Sequence, residues 1–513
     1  MSDIETDVLI LGGGPAGLWA ALAAATAGAR VIVVDKNRCG SSGPTAFGAT
    51  TLWHIAEGPA RGAAVERALT HGGGLGAPEW IDRVLDESHR RVDQLAHGGH
   101  RIPRARAERI RLDGAGYLRR LRRSAVALGV DILDHHPALR LLRAGDGTVA
   151  GAAGVCRREH FRPWTIRAGA VVLATGGCAF LSGSPGTDVD TGEGLLMAAE
   201  AGADLAGMEF SNAYGFAPAL PPGYRAAGPM PGLTLPAAAL HDESGEPLAG
   251  RGPAALAAIA EGRRVTAALR DLPAPMRQWL ARQGACDRAG RVPVRAVLEG
   301  TVRGSGGVEL LGPDCATGVP GLYGAGGVAA REPVLGAVGG SSAQGGGWAL
   351  ASGVWAGAGA ARFATARGVP DRVSPVGGAG LGAHAGIDPR SVIGLVQEHT
   401  LPLRRSYWRS AGSLRDSIAE LDALWPVVRY DLGGVGAGQV RARQAAALLA
   451  VARWTKYSAL ERAESRGMHR RTDHPGAADD WRARLHCGGL DEVWVRRGSV
   501  LGGDLTAAYR PAV

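Results

Sequence analysis

The sequence is poor in cysteine, and it has no long apolar run. Its 513 residues include only six cysteines, scattered at positions 39, 156, 178, 286, 315 and 487 without a Cys-x-x-Cys pair. This pattern argues against an internal zinc or iron–sulfur site and fits a reducing compartment. No stretch approaches the roughly 18 uninterrupted apolar residues of a membrane span, so we expect no integral membrane segment. The start "MSDIETDVLILGGG" lacks the basic region of a secretory signal, and we therefore expect a cytoplasmic location.

The charge is basic and is carried mostly by arginine. The formal net charge is +9 and the pI is near 9.6. Clusters such as "RIPRARAERIRL" and "LRRLRRSA" are basic enough to attract nucleic acid, but no RNA- or DNA-binding motif accompanies them. We interpret them as solvated helix faces and expect no nucleic-acid partner. The length and the hydrophobic content of 46% are those of a globular protein with two to four domains.

The segment "DVLILGGGPAGLWAALAAATAGARVIVVDK" predicts a strand, a glycine loop, a helix and a second strand. Gly12, Gly14 and Gly17 come directly after an apolar strand predicted for Val8 to Leu11, and the predicted helix runs from Pro15 to about Ala27. The second strand ends at Asp35, 18 residues after Gly17. This is close to the spacing of the acid that binds a ribose hydroxyl in dinucleotide-binding folds.

Each glycine of this loop has a physical role in such a fold. Gly12 makes the tight turn, Gly14 lets backbone N–H groups approach a pyrophosphate, and Gly17 lets helix and strand pack closely. The N-terminus of the helix supplies the anion site. With strand, helix and acid all in place, the segment predicts dinucleotide binding.

Two later segments favour FAD over NAD. The stretch "GTVAGAAGVCRREHFRPWTIRAGAVVLATGG" predicts hairpin strands that lead into Ala174, Thr175, Gly176 and Gly177. A late "VPGLYGAGGVAA" predicts another strand and glycine turn, and no second Gly-x-Gly-x-x-Gly fingerprint follows. This arrangement resembles the large FAD-binding oxidoreductases, in which both ends of the chain hold the flavin. Binding of NAD alone is the alternative.

Further motifs resemble one family in particular. "ATGGCAFLSGSPGTDVDTGEGLLMAAEAGADLAGMEF" carries its Ala-Thr-Gly-Gly, then Thr191 and Gly192, then Met208-Glu209-Phe210. "ALERAESRGMHRRTDHPGAADDW" is similar to the signature of its C-terminal domain. The family is that of the succinate dehydrogenase and fumarate reductase flavoprotein subunits, with L-aspartate oxidase and adenylylsulfate reductase as relatives. The resemblance implies hydride transfer between flavin N5 and a substrate carbon.

The resemblance also implies a fold and a domain layout. We expect an α/β protein with a Rossmann-like FAD-binding domain, an inserted α+β capping domain and a C-terminal helical domain. The FAD-binding domain would comprise residues 1–215 plus 305–363, the capping domain 216–304 and the helical domain 388–513. The Gly/Pro-rich "ARGVPDRVSPVGGAGLGAHAG" is interpreted as a linker. Residues 216–304 match the family loosely.

The loop and the resemblance together assign a set of residues to FAD. Ser42 stands where membrane-bound members carry a His bonded to the flavin, so we expect noncovalent FAD. Gly327 follows Gly326 where the family has a Glu on the ribityl chain, so this chain lacks that Glu. The glycine-rich "EPVLGAVGGSSAQGGGWALASG" is expected to pass the isoalloxazine ring. The residues assigned to FAD are Gly12, Gly14, Pro15, Ala16, Gly17, Asp35, Lys36, Ser42, Thr45, Ala46, Gly48, Ala174, Thr175, Gly176, Gly177, Thr191, Gly192, Gly326, Gly327, Ser342 and Gln344.

The groups by which the family grips a dicarboxylate are replaced in this chain. In the family, two His and an Arg hold the substrate. Here Tyr214 stands for the first His, and Val302 or Arg303 for the second. Gly339 or Gly340 stands for the Arg. A buried carboxylate without its partner costs several kcal/mol. We therefore expect that succinate, fumarate and L-aspartate are not substrates.

Three residues remain as catalytic candidates. Tyr214 is a hydrogen-bond donor or acid/base, and Arg303 is a group that binds an anion from a different direction. Arg251 lies one position from the family's proton-delivering Arg. The alternative is that Tyr214 is a packing residue and Arg303 a surface charge. His71, before three glycines, is interpreted as a loop residue.

Three functions stay open at this point. The first is an FAD-dependent oxidoreductase that dehydrogenates or reduces a C–C or C–N bond of a small molecule. The second is the flavin subunit of an electron-transfer complex resembling adenylylsulfate reductase or fumarate reductase, with an iron–sulfur or other electron-transfer protein as partner. The third is a non-catalytic flavin-binding scaffold.

Overall fold

A central sheet of eight strands organises the fold. The computed structural model describes residues 4–97, 108–219, 239–248, 252–272, 274–282, 286–339, 343–382 and 386–500. Its strands are β1 (Ile4–Leu11), β2 (Val31–Val34), β3 (Ala49–Trp53), β4 (Arg109–Asp113), β5 (Asp131–Leu133), β6 (Ala138–Arg143), β7 (Val149–Cys156), β8 (Arg162–Leu173), β9 (Leu205–Ala206), β10 (Ala213–Pro218), β11 (Leu240–His241), β12 (Thr266–Ala268), β13 (Arg291–Glu299), β14 (Gly307–Val308), β15 (Leu322–Gly324), β16 (Ser374–Pro375), β17 (Ala483–Gly488) and β18 (Trp494–Val500).

Fifteen helices lie between these strands in the described part of the chain. They are α1 (Pro15–Thr26), α2 (Pro44–Phe47), α3 (Pro59–His71), α4 (Pro78–His97), α5 (Gly114–Ala127), α6 (Glu193–Glu200), α7 (Pro253–Ala260), α8 (Ala274–Arg282), α9 (Gly300–Arg303), α10 (Glu332–Leu335), α11 (Ala343–Arg367), α12 (Pro389–Thr400), α13 (Leu403–Ser406), α14 (Ala411–Tyr430) and α15 (Ala437–Glu461). Short 3-10 turns occur at Met208–Phe210, Leu269–Asp271, Gly326–Val328 and Asp479–Trp481.

The order in the large sheet is β16-β6-β7-β8-β1-β2-β5, and β15 also pairs with β8. The strands β8, β1, β2 and β5 run parallel, as does β15 beside β8. Their fully buried residues are mostly Val, Ile and Leu, as expected for strands covered on both faces. The predicted hairpin is confirmed, because β7 and β8 pair antiparallel. This sheet brings the carboxyl ends of β1, β2, β8 and β15 to one edge.

Helices α1 and α11 pack on this sheet at a contact made of small residues. A Cβ at Gly353 would overlap the carbonyl oxygen of Ala16, and one at Gly357 would overlap that of Ala20. The glycines of α11 are therefore required for the close approach of two helix backbones. The glycine-rich helix α11 is thus a packed element and not a flexible linker.

A second, antiparallel sheet has the order β10-β13-β12-β11 and lies within residues 213–299. The predicted α/β fold class is confirmed, while the domain boundaries stay a prediction. Residues 388–513 do not contain helices alone. Strands β17 and β18 extend a small sheet with β9, which lies more than 270 residues earlier in the chain. Helical periodicity cannot indicate a strand whose partner is so distant.

Candidate flavin site

The glycine loop after β1 is fixed by backbone contacts. Gly12 has φ +108°, and a Cβ there would overlap the carbonyl oxygen of Ala174. A Cβ at Gly17 would overlap the carbonyl oxygen of Gly12. Gly14 precedes α1 with φ −75°, and no protein atom lies within 4 Å of the position a Cβ would take. The N-terminus of α1 therefore faces open space, as an anion site requires.

This open space is a cleft at the carboxyl ends of the parallel strands. Most of the residues assigned to FAD from the sequence lie in its wall, so the structure brings together segments from residues 11–51, 174–177 and 326–327. Those that line the cleft are Gly12, Gly14, Pro15, Ala16, Asp35, Lys36, Ser42, Thr45, Gly48, Ala174, Thr175, Gly176, Gly177, Gly326 and Gly327.

The remaining assigned residues lie elsewhere. Thr191 accepts a hydrogen bond from Lys36 Nζ at 2.9 Å and donates one to Glu193 at 2.6 Å. It therefore positions these two cleft residues without lining the cleft itself. Gly17 packs under the loop, as its predicted role requires. Ser342 lies outside the described residues. The others that do not line the cleft are Ala46, Gly192 and Gln344.

Asp35, which the spacing predicts to bind the ribose, lines the cleft directly after β2. Its Oδ2 accepts a hydrogen bond from the N–H of Gly13 at 2.7 Å, and its Oδ1 accepts one from Asn37 at 2.7 Å. These bonds fix the carboxyl at the end of β2. Burial raises the pKa of Asp35, and the two backbone donors oppose that rise.

Three buried polar atoms of cleft-lining residues have no partner among the described residues. They are Thr175 Oγ1, Asp190 Oδ2 and Arg443 Nε. Buried polar atoms are nearly always paired, so a ligand with hydroxyl or phosphate groups fits this wall. Burial raises the pKa of the Asp190 carboxyl to about 7, although Lys36 opposes that shift. The cleft thus offers the loop, the acid and the unpaired groups that FAD needs.

Arg303 and Val302, the two alternatives for the family's second His, both line the cleft. Nε of Arg303 lies 3.6 Å from Glu299 Oε1. Buried Arg331 donates to the carbonyl oxygens of Val302 at 2.6 Å and Gly304 at 2.7 Å, and it also donates to Thr301. Burial, with the nearby Arg303, lowers the pKa of Arg331 to about 10. Arg331 therefore fixes the segment that carries Arg303.

Tyr214, the second catalytic candidate, lies away from the cleft wall. The hydroxyl of Tyr214 donates to the carbonyl oxygen of Leu401 at 2.8 Å, and its ring packs edge-on against Tyr407. Burial raises the pKa of Tyr214. Tyr214 does not line the cleft, and Arg251 lies outside the described residues. Exposed His71 ends α3. The contacts of Tyr214 are those of a packing residue, and its catalytic role stays a prediction.

Gly339 has a structural reason for lacking a side chain. A Cβ there would overlap the carbonyl oxygen of Arg303. An arginine at this position would displace the backbone that carries Arg303. If Gly339 is the counterpart of the family's substrate-gripping Arg, this packing excludes that side chain here. Gly340 lies outside the described residues.

Sequence reasoning missed several polar residues of the cleft, among them Asp190 and Arg331. Asp190 directly precedes the Thr-Gly motif, so its position in "TDVDTGEG" was an available signal. Arg331 is a single charge after the apolar "GVAA", and only its contacts with residues 301–304 show its role. In the described part of the chain, no helix combines the length and apolar character needed to cross a membrane.

Fold and cleft together define an FAD-binding oxidoreductase. The chain matches the family model "FAD binding domain" over residues 7–124 and 97–272, and "Fumarate reductase flavoprotein C-term" over residues 416–496. The chain belongs to the FAD binding domain family, and the predicted resemblance to the fumarate reductase flavoproteins is confirmed. Its cofactor is FAD.

Individual relatives differ in how much of each chain is matched. An L-aspartate oxidase of Mycobacterium bovis is 27% identical over 95% of this chain and 96% of its own length. One from Streptomyces coelicolor is 29% identical, but that match spans only 40% of this chain and 39% of the oxidase. A quinol fumarate reductase structure from E. coli superposes with a TM-score of 0.79 at 21% identity, covering 100% of this chain and 99% of that one. Adenylylsulfate reductase from Archaeoglobus fulgidus gives 0.75 at 18% identity, covering 98% and 97%. These two structures support the fold.

Proposed function

We propose that the protein is an oxidoreductase with noncovalent FAD that acts on a small anionic molecule other than a C4 dicarboxylate. The observation that carries this proposal is Arg303 in the cleft wall, held by Glu299 and by the contacts of Arg331. Bound FAD supplies a two-electron acceptor or donor for hydride transfer. The reaction is then dehydrogenation or reduction of a C–C or C–N bond. Arg303 binds and orients the anionic group of the substrate.

Noncovalent attachment is supported by the residues near Ser42. Ser42 lines the cleft where a flavin-bonded His would stand. Among the described lining residues the one histidine is His136, whose backbone N–H donates to the carbonyl oxygen of Asp35 at 2.7 Å. His136 therefore lies beside the acid assigned to the ribose. FAD should be released by denaturation with its ordinary mass.

The route of electrons away from the flavin also belongs to the proposal. All six cysteines are free, and five of them are buried. We propose that these thiols do not carry the electrons. The electrons pass instead to a diffusible acceptor or to a partner, such as an iron–sulfur protein. The free thiols are also consistent with a reducing compartment, and the cytoplasmic location stays a prediction.

Asp190 is proposed to bind the ribityl chain in place of the Glu that the family has at the position of Gly327. Its carboxyl adjoins Gly176, and a Cβ at Gly327 would lie 3.3 Å from the backbone nitrogen of Gly177. Asp190 and Gly327 therefore both lie next to the segment formed by Gly176 and Gly177. The carboxyl of Asp190 can bind a hydroxyl of FAD in its protonated form and in its ionised form.

Arg303→Ala is expected to raise KM for an anionic substrate about 10- to 100-fold, because a charge-assisted hydrogen bond contributes about 1.5–3 kcal/mol. The measurement is anaerobic bleaching of the flavin by a panel of monocarboxylates, amino acids and uncharged analogues. Arg303→Lys should recover part of the loss. Tyr214→Phe is the comparison variant, and a large loss of bleaching there would support the catalytic role of Tyr214.

Two results would contradict the assignment of Arg303. One is an equal effect of Arg303→Ala on anionic and uncharged substrates. The other is weaker FAD binding in the same variant, which would make Arg303 a cofactor contact. If no compound in the panel bleaches the flavin of the wild-type protein, the proposed reaction itself fails.

Asp190→Asn is expected to raise the melting temperature of the apo-protein more at about pH 8 than at about pH 5. The pKa of Asp190 is about 7 in the fold against 3.8 for an ordinary Asp. Ionisation is therefore harder in the folded state, and its destabilising effect grows as pH rises through this range. Asn carries no charge and removes that effect.

Asp188→Asn is the matched control, since Asp188 is exposed and only two residues away. It should leave the pH dependence of the melting temperature almost unchanged. The FAD dissociation constant of both variants is measured as well. If Asp190→Asn and Asp188→Asn give the same pH profile and FAD affinity, Asp190 has no special place in the cleft.

A further inference from the structure

Two histidines and one aspartate meet on the surface where β3 ends beside α4. Nε2 of His54 lies 3.0 Å from Oδ1 of Asp93, and Nε2 of His89 lies 3.6 Å from Oδ2 of the same carboxylate. The ring centroids of the two histidines are 4.6 Å apart. One ligand atom from each residue lies within 4.8 Å of the others, and no other such group of three occurs among the described residues.

The local fold brings these three side chains together without a ligand. His89 and Asp93 are one turn apart on α4, so they share one face of that helix. His54 follows β3, and its backbone N–H donates to the carbonyl oxygen of Glu108 at 3.0 Å. The hydroxyl of Ser88 donates to the carbonyl oxygen of Trp53 and joins the two elements at the same place. The cluster is therefore largely preorganised.

The spacing suits a metal ion as well as it suits hydrogen bonds. Ligands of a tetrahedral zinc ion at about 2.0–2.1 Å lie about 3.3 Å from one another. The two histidine–carboxylate separations, 3.0 and 3.6 Å to the two oxygens of Asp93, lie on either side of that value, and the ligand atoms all lie within 4.8 Å of one another. The three side chains are only partly exposed. A set of two imidazoles and one carboxylate leaves a fourth position for water, and it suits borderline ions rather than magnesium.

The neighbouring arginines do not oppose a cation at this place. Arg90 pairs with Asp86 at 3.2 Å and with Glu87 at 2.6 Å. Arg91 also pairs with Glu87, at 2.7 Å. The two arginines of this part of α4 are therefore paired with two carboxylates of the same helix, and Arg61 also pairs with Asp86, at 3.5 Å.

The geometry points to a binding site for one divalent transition-metal ion, with zinc the best match, held by His54, His89 and Asp93. The bound ion joins the end of β3 to α4. Because β3 also carries Thr50 and Thr51 of the cleft wall, the ion stabilises one side of the flavin site from outside. Binding to the folded state alone raises the melting temperature.

The experiment uses the full chain after removal of metals with EDTA and exhaustive dialysis. Titration with zinc chloride, followed by calorimetry, should show one ion per chain and a rise in melting temperature. Magnesium chloride should give neither. In His54→Ala/His89→Ala that one ion should be lost, and in Asp93→Asn its affinity should fall at least about 10-fold, because a charged ligand is removed.

His160→Ala is the matched control, because His160 is an exposed histidine between β7 and β8 and belongs to no such cluster among the described residues. It should bind zinc as the wild type does. The proposal is wrong if the wild type binds no zinc, or if the double variant and Asp93→Asn keep the same stoichiometry and affinity. Asp93→Asn keeps the side-chain shape, so a misfolded double variant does not prevent this decision. FAD binding is read separately and does not enter the result.

Discussion

Gly14→Ala is expected to weaken FAD binding about 10- to 100-fold while the apo-protein keeps its stability. A Cβ at this position meets no protein atom within 4 Å, and φ of −75° suits alanine. The methyl group would instead enter the space in front of the N-terminus of α1, where the pyrophosphate needs close backbone contact. Overpacking of this kind costs about 1–3 kcal/mol. FAD affinity is measured by fluorescence quenching and stability by melting of the apo-protein.

Gly17→Ala is the contrasting variant. Its Cβ would overlap the carbonyl oxygen of Gly12 inside the protein, so both the melting temperature of the apo-protein and FAD binding should fall. The two glycines belong to one motif, but only Gly14 would meet the cofactor. If Gly14→Ala binds FAD as tightly as the wild type, the pyrophosphate does not lie at this helix.

This site was largely predictable because its main determinants are local in sequence. The predicted helix from Pro15 to about Ala27 is observed as Pro15–Thr26, and Asp35 lies at the cleft as expected. Spacing between neighbours along the chain fixes such a loop. The first strand was predicted from Val8 but begins at Ile4, because Ile4 pairs with Ile166 of β8. That extension depends on a contact that no local pattern shows.

The substrate-binding part of the site was less predictable, because its determinants are distant from one another in the sequence. Comparison with the family placed Gly339 or Gly340 at the position of a substrate-gripping Arg, but only the structure shows that Gly339 packs against the carbonyl of Arg303. Arg331 acts through hydrogen bonds to a segment about 30 residues earlier. Tyr214 matched the position of a His, yet its hydroxyl donates a hydrogen bond to the carbonyl oxygen of Leu401 in the C-terminal region. Side-chain direction and distant partners decide these roles.

Arg462→Met is expected to lower the free energy of unfolding by about 3–5 kcal/mol, because it leaves the buried carboxylate of Glu209 without its arginine partner. Nε of Arg462 donates to Glu209 at 2.8 Å, and Nη1 donates to Glu464 at 2.9 Å. The guanidinium also donates to the carbonyl oxygens of Trp481 at 2.8 Å and Ala483 at 2.7 Å. The side chains of Arg462, Glu209 and Glu464 are all 0% exposed. Arg462 therefore joins the turn at Glu209 to the C-terminal region.

The measurement is urea unfolding of the apo-protein, with Arg67→Met as the matched control. Arg67 also pairs with a carboxylate at 2.8 Å, that of Glu108, but the two side chains are 57% and 45% exposed. Loss of such an exposed pair costs at most about 1 kcal/mol. Arg462→Met/Glu209→Gln should recover part of the loss, because one unpaired charge is removed with its partner. Equal destabilisation by Arg462→Met and Arg67→Met would show that burial of the network adds nothing to its stabilising effect.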